Sequence, residues 1–388
     1  MIISSTRPAW VEVNLDNIGY NLKEIRNIVS PKAKIMCIVK SNAYKAGALA
    51  LTNKYVEMGI DYFGVATLSE GISLRNHFPN IKILILGYSP QFLMEELAVY
   101  NIMPNIYSLD DALKLNDICK SMDKVLNIHL SLETGMGRIG FLPNEKSLHD
   151  IKEISRLSNL KIDGTFSHFA VSDSDPVYTK KQFDIFMNFC KKCEEKNISL
   201  GIKHIANSAS ILNYRDYDLD MVRPGIILHG LHHNLCPEGI YNFKRDIEVR
   251  CLIANIKTIK KGDTVSYGRN FTASSDTKIV TLPLGYADGF PRILSGKLSV
   301  LINGKKCRQV GNICMDQMMI DATGVDCKIG DLVTLIGKDG DEEIEFKDIA
   351  DLIGDIETSM LTHLSERLPR IYLENNEIKY EEDIIKFL

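Results

Sequence analysis

Residues 125–140 read VLNIHLSLETGMGRIG, an apolar run of strand texture followed by a glycine-rich turn. The last six, Gly135 to Gly140, fit G-x-G-x-x-G, the glycine pattern of a dinucleotide-binding turn. How this stretch is read decides the fold. A dinucleotide fingerprint needs a helix that opens directly in the turn, inside a short βαβ unit. Here Phe141-Leu142-Pro143-Asn144 follows, and Pro143 argues that no helix has yet begun. Arg138 would also crowd a pyrophosphate at the turn. The glycines are therefore read as a loop that follows a strand.

Outward from that loop, seven more runs have the same texture. They are KIMCIV (34–39), YFGVA (62–66), KILILG (82–87), NIYS (105–108), KIDGTFS (161–167), IKHI (202–205) and MVRPGIIL (221–228). Helix-like segments lie between them, such as SLDDALKLNDICKSM, with Ser108 as its N-cap candidate. Eight strands with intervening helices over about 200 residues predict an α/β fold, a (β/α)8 TIM-type barrel. A doubly wound sheet is the alternative, and the strand count favours the barrel. After about residue 240 the texture becomes β: DIEVRCLIANIKTI, DTVSYG, KIVTLPLG, LSVLINGKKCRQV and DLVTLIG, with turn signals at Asn303-Gly304 and Asp339-Gly340. A short helical pattern near 346–367 interrupts it. The expected division is a barrel over 10–240 and a mainly-β C-terminal domain over 241–388 together with residues 1–9. HHNLCPEG (232–239) reads as the linker.

The totals agree with this plan. A chain of 388 residues allows two or three domains, or a barrel with a smaller partner. With 46 basic and 50 acidic residues, the net charge of −4 offers no bulk attraction to nucleic acid. No apolar run approaches the length of a membrane span, and MIISSTRPAW is too polar for a secretory signal. Nine scattered cysteines, an odd count, read as free thiols in a reducing, cytoplasmic compartment. Cys190 and Cys193 form C-x-x-C inside a helical segment and read as structural. His232, His233 and Cys236 lack metal-ligand spacing, so no metal is expected.

Barrel active sites are built just past strand C-termini. Those positions carry Lys40, Glu133, Arg138, His168, His204, Asn207, Ser208, Arg223 and Gly225. Each alone has an ordinary structural reading: a rim lysine, a satisfied histidine, a surface arginine. Their joint placement at one end of one barrel has chemical content. A lysine there can form a Schiff base with a carbonyl cofactor. Ser208 and the amides at Gly225-Ile226 fall where barrels bind phosphate. An aldehyde plus a phosphate suggests pyridoxal 5'-phosphate, with Arg223 facing the pyridine nitrogen.

At this point the sequence resembles the alanine racemase family. VKSNAYKAGA (39–48) is similar to the family's cofactor-lysine motif. TGMGRIGF, SHFAVSD (167–173), HIANSAS (204–210), MVRPGIILHG (221–230), VSYGRNFTA (265–273), LPLGYADGFPR (282–292) and GNICMDQMMID (311–321) match its other blocks in order. The resemblance runs from about Pro8 to Tyr372. It implies a pyridoxal-phosphate isomerase that interconverts L- and D-alanine with two bases, Lys40 on the D side and Tyr267 on the L side. It implies a homodimer in which Tyr267 and the backbone of Met315 enter the partner's site. Tyr44, Ser208, Gly225 and Ile226 would bind phosphate, with His168 and Asn207 near the cofactor. Arg223 would be held by His204. Arg138 and Met315 would bind the substrate carboxylate, and Tyr286 would narrow the entrance.

Three departures from the family pattern bear on the site. Ser131 stands where many members carry a carbamylated lysine that braces the loop arginine, so Glu133 or a small anion is expected opposite Arg138. The family's AYGHG is AYKAG, with Lys45 and Ala46. Thr358 replaces a tyrosine that lines the substrate pocket, which leaves serine or a broader amino-acid range as alternative substrates. Two further readings are weighed. A barrel decarboxylase uses a glycine cluster for phosphate, and this chain has no Gly-Gly pair. A non-catalytic cofactor-binding barrel is a single domain and has no counterpart of Tyr267 and Met315.

Overall fold

A computed structural model of the chain describes residues 7–237 and 239–383. Glu238 of the expected linker and residues 1–6 of the expected β domain lie outside the described residues. The chain divides into two compact units. One comprises residues 19–43 and 48–244, the other 1–18, 44–47 and 245–388. Residues 10–18, which the sequence assigned to the barrel, sort with the β unit. The reason is pairing: β1 (Ala9–Asn14) runs antiparallel to β10 (Ile247–Leu252) and parallel to β20 (Arg370–Glu374). Neither partner is near it in sequence, so no local signal announces the assignment.

The first unit carries eight parallel strands. They are β2 (Lys34–Ile38), β3 (Tyr62–Val65), β4 (Lys82–Ile85), β5 (Asn105–Ile106), β6 (Leu126–Ser131), β7 (Leu160–Phe166), β8 (Ile202–His204) and β9 (Met221–Val222). Two sheets, in the orders β4-β3-β2-β9 and β5-β6-β7-β8, are joined at both edges. Met103 exchanges backbone bonds with Ile83 and Ile85, and the amides of Asp220 and Arg223 donate to Lys203 and Ala206. The ring closes, so a doubly wound sheet is excluded. Outside the ring, Ser108 caps the helix Leu109–Ser121 by accepting from the Asp111 amide.

The glycine turn has a structural explanation. Phe141 returns to the end of β6 as an isolated bridge to Leu132, and its amide donates to the Ser131 carbonyl. Gly140, at φ 144°, passes so close that a Cβ would fall 2.6 Å from the Glu133 nitrogen. No helix opens until Glu145, capped by Asn144.

The second unit is a large mixed sheet in the order β11-β14-β17-β16-β15-β18-β10-β1-β20-β21, with β19 paired to β18. Its remaining members are β11 (Asn255–Ile259), β14 (Thr277–Leu282), β15 (Ser299–Ile302), β16 (Lys305–Val310), β17 (Met318–Asp321), β18 (Leu332–Asp339), β19 (Glu342–Ile344) and β21 (Glu377–Glu382). A separate ribbon pairs β12 (Thr264–Val265) with β13 (Phe271–Thr272). Asn303 and Gly304, at φ 48° and 71°, turn β15 into β16. Helices Phe346–Asp351 and Glu357–His363 account for the helical pattern near 346–367.

Candidate active site

Lys40 follows directly on β2, the first strand of the ring. The chain after it is unusual: Ser41, Asn42, Ala43, Tyr44 and Lys45 all have positive φ, between 49° and 72°. A left-handed run of L-residues costs about 1–2 kcal/mol per residue, so the surroundings must hold it. Glu70 supplies one restraint. It is the N3 residue of the helix Leu68–His77 and completes a capping box with Thr67, and its other oxygen accepts from the Ser41 amide at 2.6 Å. Asn42 accepts from the Ala48 amide at 2.7 Å. Within the β unit, Arg370 donates from Nε to the Lys45 carbonyl at 3.0 Å, and Lys45 pairs with Glu366 at 3.1 Å. Strain concentrated beside one lysine is the signature of a functional position.

The ionic surroundings of Lys40 are cationic. Burial pulls its ammonium below the ordinary range, Arg138 and Arg223 push the same way, and Glu70 opposes them. His168 is held well below its usual value by burial, then by Arg223, Arg138 and Lys40. These couplings bring four residues from four strand ends together: Lys40, Arg138, His168 and Arg223.

Arg223 is buried and held by four acceptors. It donates to His204 Nδ1 at 2.8 Å, to the Ser167 carbonyl at 2.6 Å, to His168 Nδ1 at 3.2 Å and to the Ile205 carbonyl at 3.2 Å. Its guanidinium lies 5.4 Å from the centre of the Phe166 ring, which stacks on His204. Burial, and secondarily Arg138, lowers its pKa.

The other barrel positions divide by what their polar atoms do. Ser208 Oγ accepts from the Gly225 amide at 3.0 Å, which leaves its own hydrogen available for a ligand. The Ile226 amide opens a short 3-10 turn, 226–229. Asn207, by contrast, is fully engaged within the fold. It caps the helix Ser208–Asn213, accepts from Ser172 and donates to the Phe169 carbonyl. Glu133 does not brace the guanidinium of Arg138. Its carboxylate accepts the backbone amides of Gly135 at 2.6 Å and Arg138 at 2.9 Å, and so shapes the loop. The Arg138 side chain is exposed, and no carboxylate among the described residues pairs with it. The Ser131 hydroxyl is buried with no partner within hydrogen-bonding distance.

The expected residues of the β unit form their own group. Tyr286 donates its amide to the Cys314 carbonyl, and Ala287 donates to Met315. Gly285 permits this approach, because a Cβ there would meet the Cys314 oxygen at 2.2 Å. Asn312 donates to the Tyr267 carbonyl at 2.7 Å, and Ser266 donates to the Asn312 carbonyl. Thus Tyr267, Tyr286 and Met315 share one surface, exposed by 70%, 41% and 52%. Thr358 is on the helix Glu357–His363, whose end packs on Gly289, next to the Tyr286–Asp288 turn. Tyr44 is buried, and burial raises its phenol.

Sequence reasoning missed Glu70, His129, Asp163 and Tyr62. A capping-box glutamate next to a strand end was a usable signal for Glu70. The others sit inside strands, where only the closed ring reveals which way they face.

With this geometry in place, the comparisons are direct. Residues 13–233 match the family model for the alanine racemase N-terminal domain, and residues 247–372 match the C-terminal domain. The chain belongs to the alanine racemase family. It is 40% identical to the alanine racemase of Clostridium novyi over 376 residues, 96% of this chain and 97% of that one. The alanine racemase of Clostridium difficile 630 superposes with a TM-score of 0.94 at 36% identity, covering 98% and 99% of the two chains. The alanine racemase of Bartonella henselae, solved with covalently bound pyridoxal phosphate, gives 0.84 at 28% identity, covering 94% and 99%. No helix among the described residues is long and apolar enough to cross a membrane.

Proposed function

We propose that the protein is a pyridoxal-phosphate-dependent alanine racemase in which Lys40 and Tyr267 act as opposed bases. The observation that carries this reading is the half-buried lysine at the first strand end, with Arg138, Arg223 and His168 around it. Such a cluster fits an anionic aldehyde cofactor part by part. A lysine biased toward its neutral amine suits attachment to a carbonyl. The free hydroxyl hydrogen of Ser208 and the amide of Ile226 suit a phosphate. Arg223 can only donate, which suits a ring nitrogen left unprotonated.

When bound, the cofactor supplies a conjugated ring that delocalises the electron pair left by a departing α-proton. The chain's residues then set the outcome. Lys40 Nζ holds or returns the proton on one face, and Tyr267 Oη of the partner subunit does so on the other. A tyrosine has an ordinary pKa near about 10, so it needs a cation or hydrogen-bond donor to act as a base at neutral pH. His168 has Nε2 free for that, because its Nδ1 faces Arg223. Arg138 and the partner's Met315 amide bind the substrate carboxylate, and Tyr286 narrows the entrance. The buried, unpartnered Ser131 hydroxyl favours a small anion beside it.

The exposure of Tyr267, Tyr286 and Met315 supports a homodimer that covers them. Nine free cysteines favour a reducing compartment, the cytoplasm. Cys190 and Cys193 are buried, with thiols pushed up to about 12 by burial, and so suit packing rather than redox chemistry. The alternative substrate, serine, rests on Thr358. The test is conversion of L-alanine and L-serine in deuterated water by the cofactor-loaded protein. Solvent deuterium should enter the α position, and alanine should reach an equal mixture of enantiomers. Bound cofactor without α-exchange would overturn the reading in favour of a non-catalytic binder.

A further inference from the structure

A file of polar groups runs from buried Arg223, through buried His204 and His129, to partly exposed Asp163 and Lys82. His204 Nε2 lies 2.9 Å from His129 Nδ1, with the rings edge to face at 5.1 Å. His129 Nε2 lies 3.8 Å from Asp163 Oδ2. Asp163 also accepts from Tyr62 at 2.6 Å, and Tyr62 accepts from Lys82 at 2.9 Å. Lys82 itself is 3.9 Å from Asp163. The route is built into the backbone. Gly164, opposite His129 in the β6–β7 register, has no side chain to block the imidazole. A Cβ there would fall 2.5 Å from its Cε1.

The donors and acceptors in this file admit one assignment of protons. Arg223 donates only, so the Nδ1 atoms of His204 and His168 both present lone pairs to it. Neutral His204 then carries its proton on Nε2 and donates to His129 Nδ1. His129 in turn carries its proton on Nε2, which faces Asp163. The contact at 3.8 Å is wider than a hydrogen bond, but it sets a carboxylate opposite an N–H in a buried, low-dielectric place. His168, with Nδ1 fixed by Arg223, presents Nε2–H away from it. The alternative, His129 with its proton on Nδ1, would force His204 to accept on Nε2 and to point an N–H at a guanidinium.

We propose that Asp163 is a positioning residue for the cofactor end of the barrel, acting through the orientation of the His129 and His204 rings to hold Arg223. Asp163 sits three residues before Phe166, the last residue of β7, roughly 10 Å from the C-terminal end of that strand. It is a remote carboxylate that touches neither cofactor nor substrate. The charged and titratable groups that face the file are Tyr62, Lys82 and Asp61 at its outer end, and Arg223, Arg138, Lys40 and His168 at its inner end. Lys34, 5.7 Å from the centre of the Tyr62 ring, completes the outer set. The histidines of this file must stay neutral to relay a directed hydrogen bond. Burial, the largest influence on each, favours that.

The inference rests on the reading of Arg223 as a cofactor-site residue, and its test is separable from activity. Neutron diffraction from the cofactor-loaded wild type locates the protons directly. Protons on Nε2 of His129, His204 and His168, with none on their Nδ1 atoms, are expected. A proton on Nδ1 of His129 or His204 would overturn the assignment, whether or not the enzyme racemises alanine. Nitrogen-15 histidine spectra of Asp163→Asn and Asp163→Glu then test the anchor. In Asp163→Asn, the His129 Nε2 resonance should move and kcat should fall by at least about tenfold, with cofactor content kept and KM little changed. Asp163→Glu should restore the wild-type His129 resonance and most of the rate. An unchanged His129 spectrum or an unchanged kcat in Asp163→Asn would remove Asp163 from the role. If Asp163→Asn fails to fold, the wild-type proton positions and Asp163→Glu still decide.

Discussion

Two groups of candidate residues sit on the two units, and they are held in opposite ways. The barrel group is over-determined, and Arg223 at its centre is buried. Arg223 donates to four acceptors, and Lys40 is followed by five left-handed residues restrained by Glu70 and Asn42. The group on the β unit is exposed, and its recorded hydrogen bonds anchor backbone atoms, so that Tyr267, Tyr286 and Met315 project as side chains on a surface. The first group is tuned by its surroundings, with ionisation shifted by burial and neighbouring cations. The second is presented, and its chemistry must come from what covers it. A residue of the first kind acts only in its own barrel; one of the second kind can serve another copy.

Removing Lys40 should have the largest effect. Lys40→Ala loses the attachment point and one base together, so activity should fall by about 10⁴-fold or more. The visible absorbance of bound cofactor should disappear from the purified protein. Retention of both would show that the strained strand end is not the reactive one.

Tyr267→Phe removes one hydroxyl from the exposed group and leaves the barrel intact. Exchange of the α-proton of L-alanine should fall by at least about 100-fold, in the range of a lost general base. Exchange from D-alanine should fall far less, because Lys40 still faces it. Equal loss on both sides would erase the contrast between the two groups.

Thr358 tests how far the β unit sets the substrate. A threonine leaves more room than a tyrosine, and room alone discriminates by about 1–3 kcal/mol per methylene-sized difference. Thr358→Tyr should lower the ratio of kcat/KM for serine over alanine several-fold. An unchanged ratio would mean that neighbours already fill the space.

The smallest effect concerns the left-handed turn. Lys45 is non-glycine at φ 72°, and its ion pair with Glu366 is half-exposed. Glycine there relieves backbone strain of about 1 kcal/mol, against a pair worth about 0–1 kcal/mol. Lys45→Gly should raise the melting temperature by about 1–2 °C. A fall would mean that the ion pair or the lysine stem outweighs the strain.

The legibility of these features in sequence followed their locality. The eight barrel strands were visible because each is a short β-branched run bounded by helical texture, and Ser108 marked its helix start. β1 was not, since its partners are distant in sequence, and β17, β20 and β21 were not, since their runs are brief or polar. Strand-end residues such as Lys40 and Arg223 were legible because a barrel concentrates function there. Glu133 was misjudged because a loop carboxylate has two kinds of donor within reach, and the backbone amides engage it. His129 and Asp163 were illegible because in-facing and out-facing positions of a short strand look alike until the ring closes.

The contrast between a self-sufficient group and a presented one is tested most directly by mixing variants. Lys40→Ala and Tyr267→Phe chains, each nearly inactive, are combined under conditions of verified subunit exchange. If the exposed tyrosine of one chain serves the barrel lysine of another, mixed dimers hold one intact site. Activity should then recover toward about a quarter of wild type, as random pairing dictates: half of the dimers are mixed, each with one good site of two. No recovery after confirmed exchange would contradict the account and return Tyr267 to its own chain.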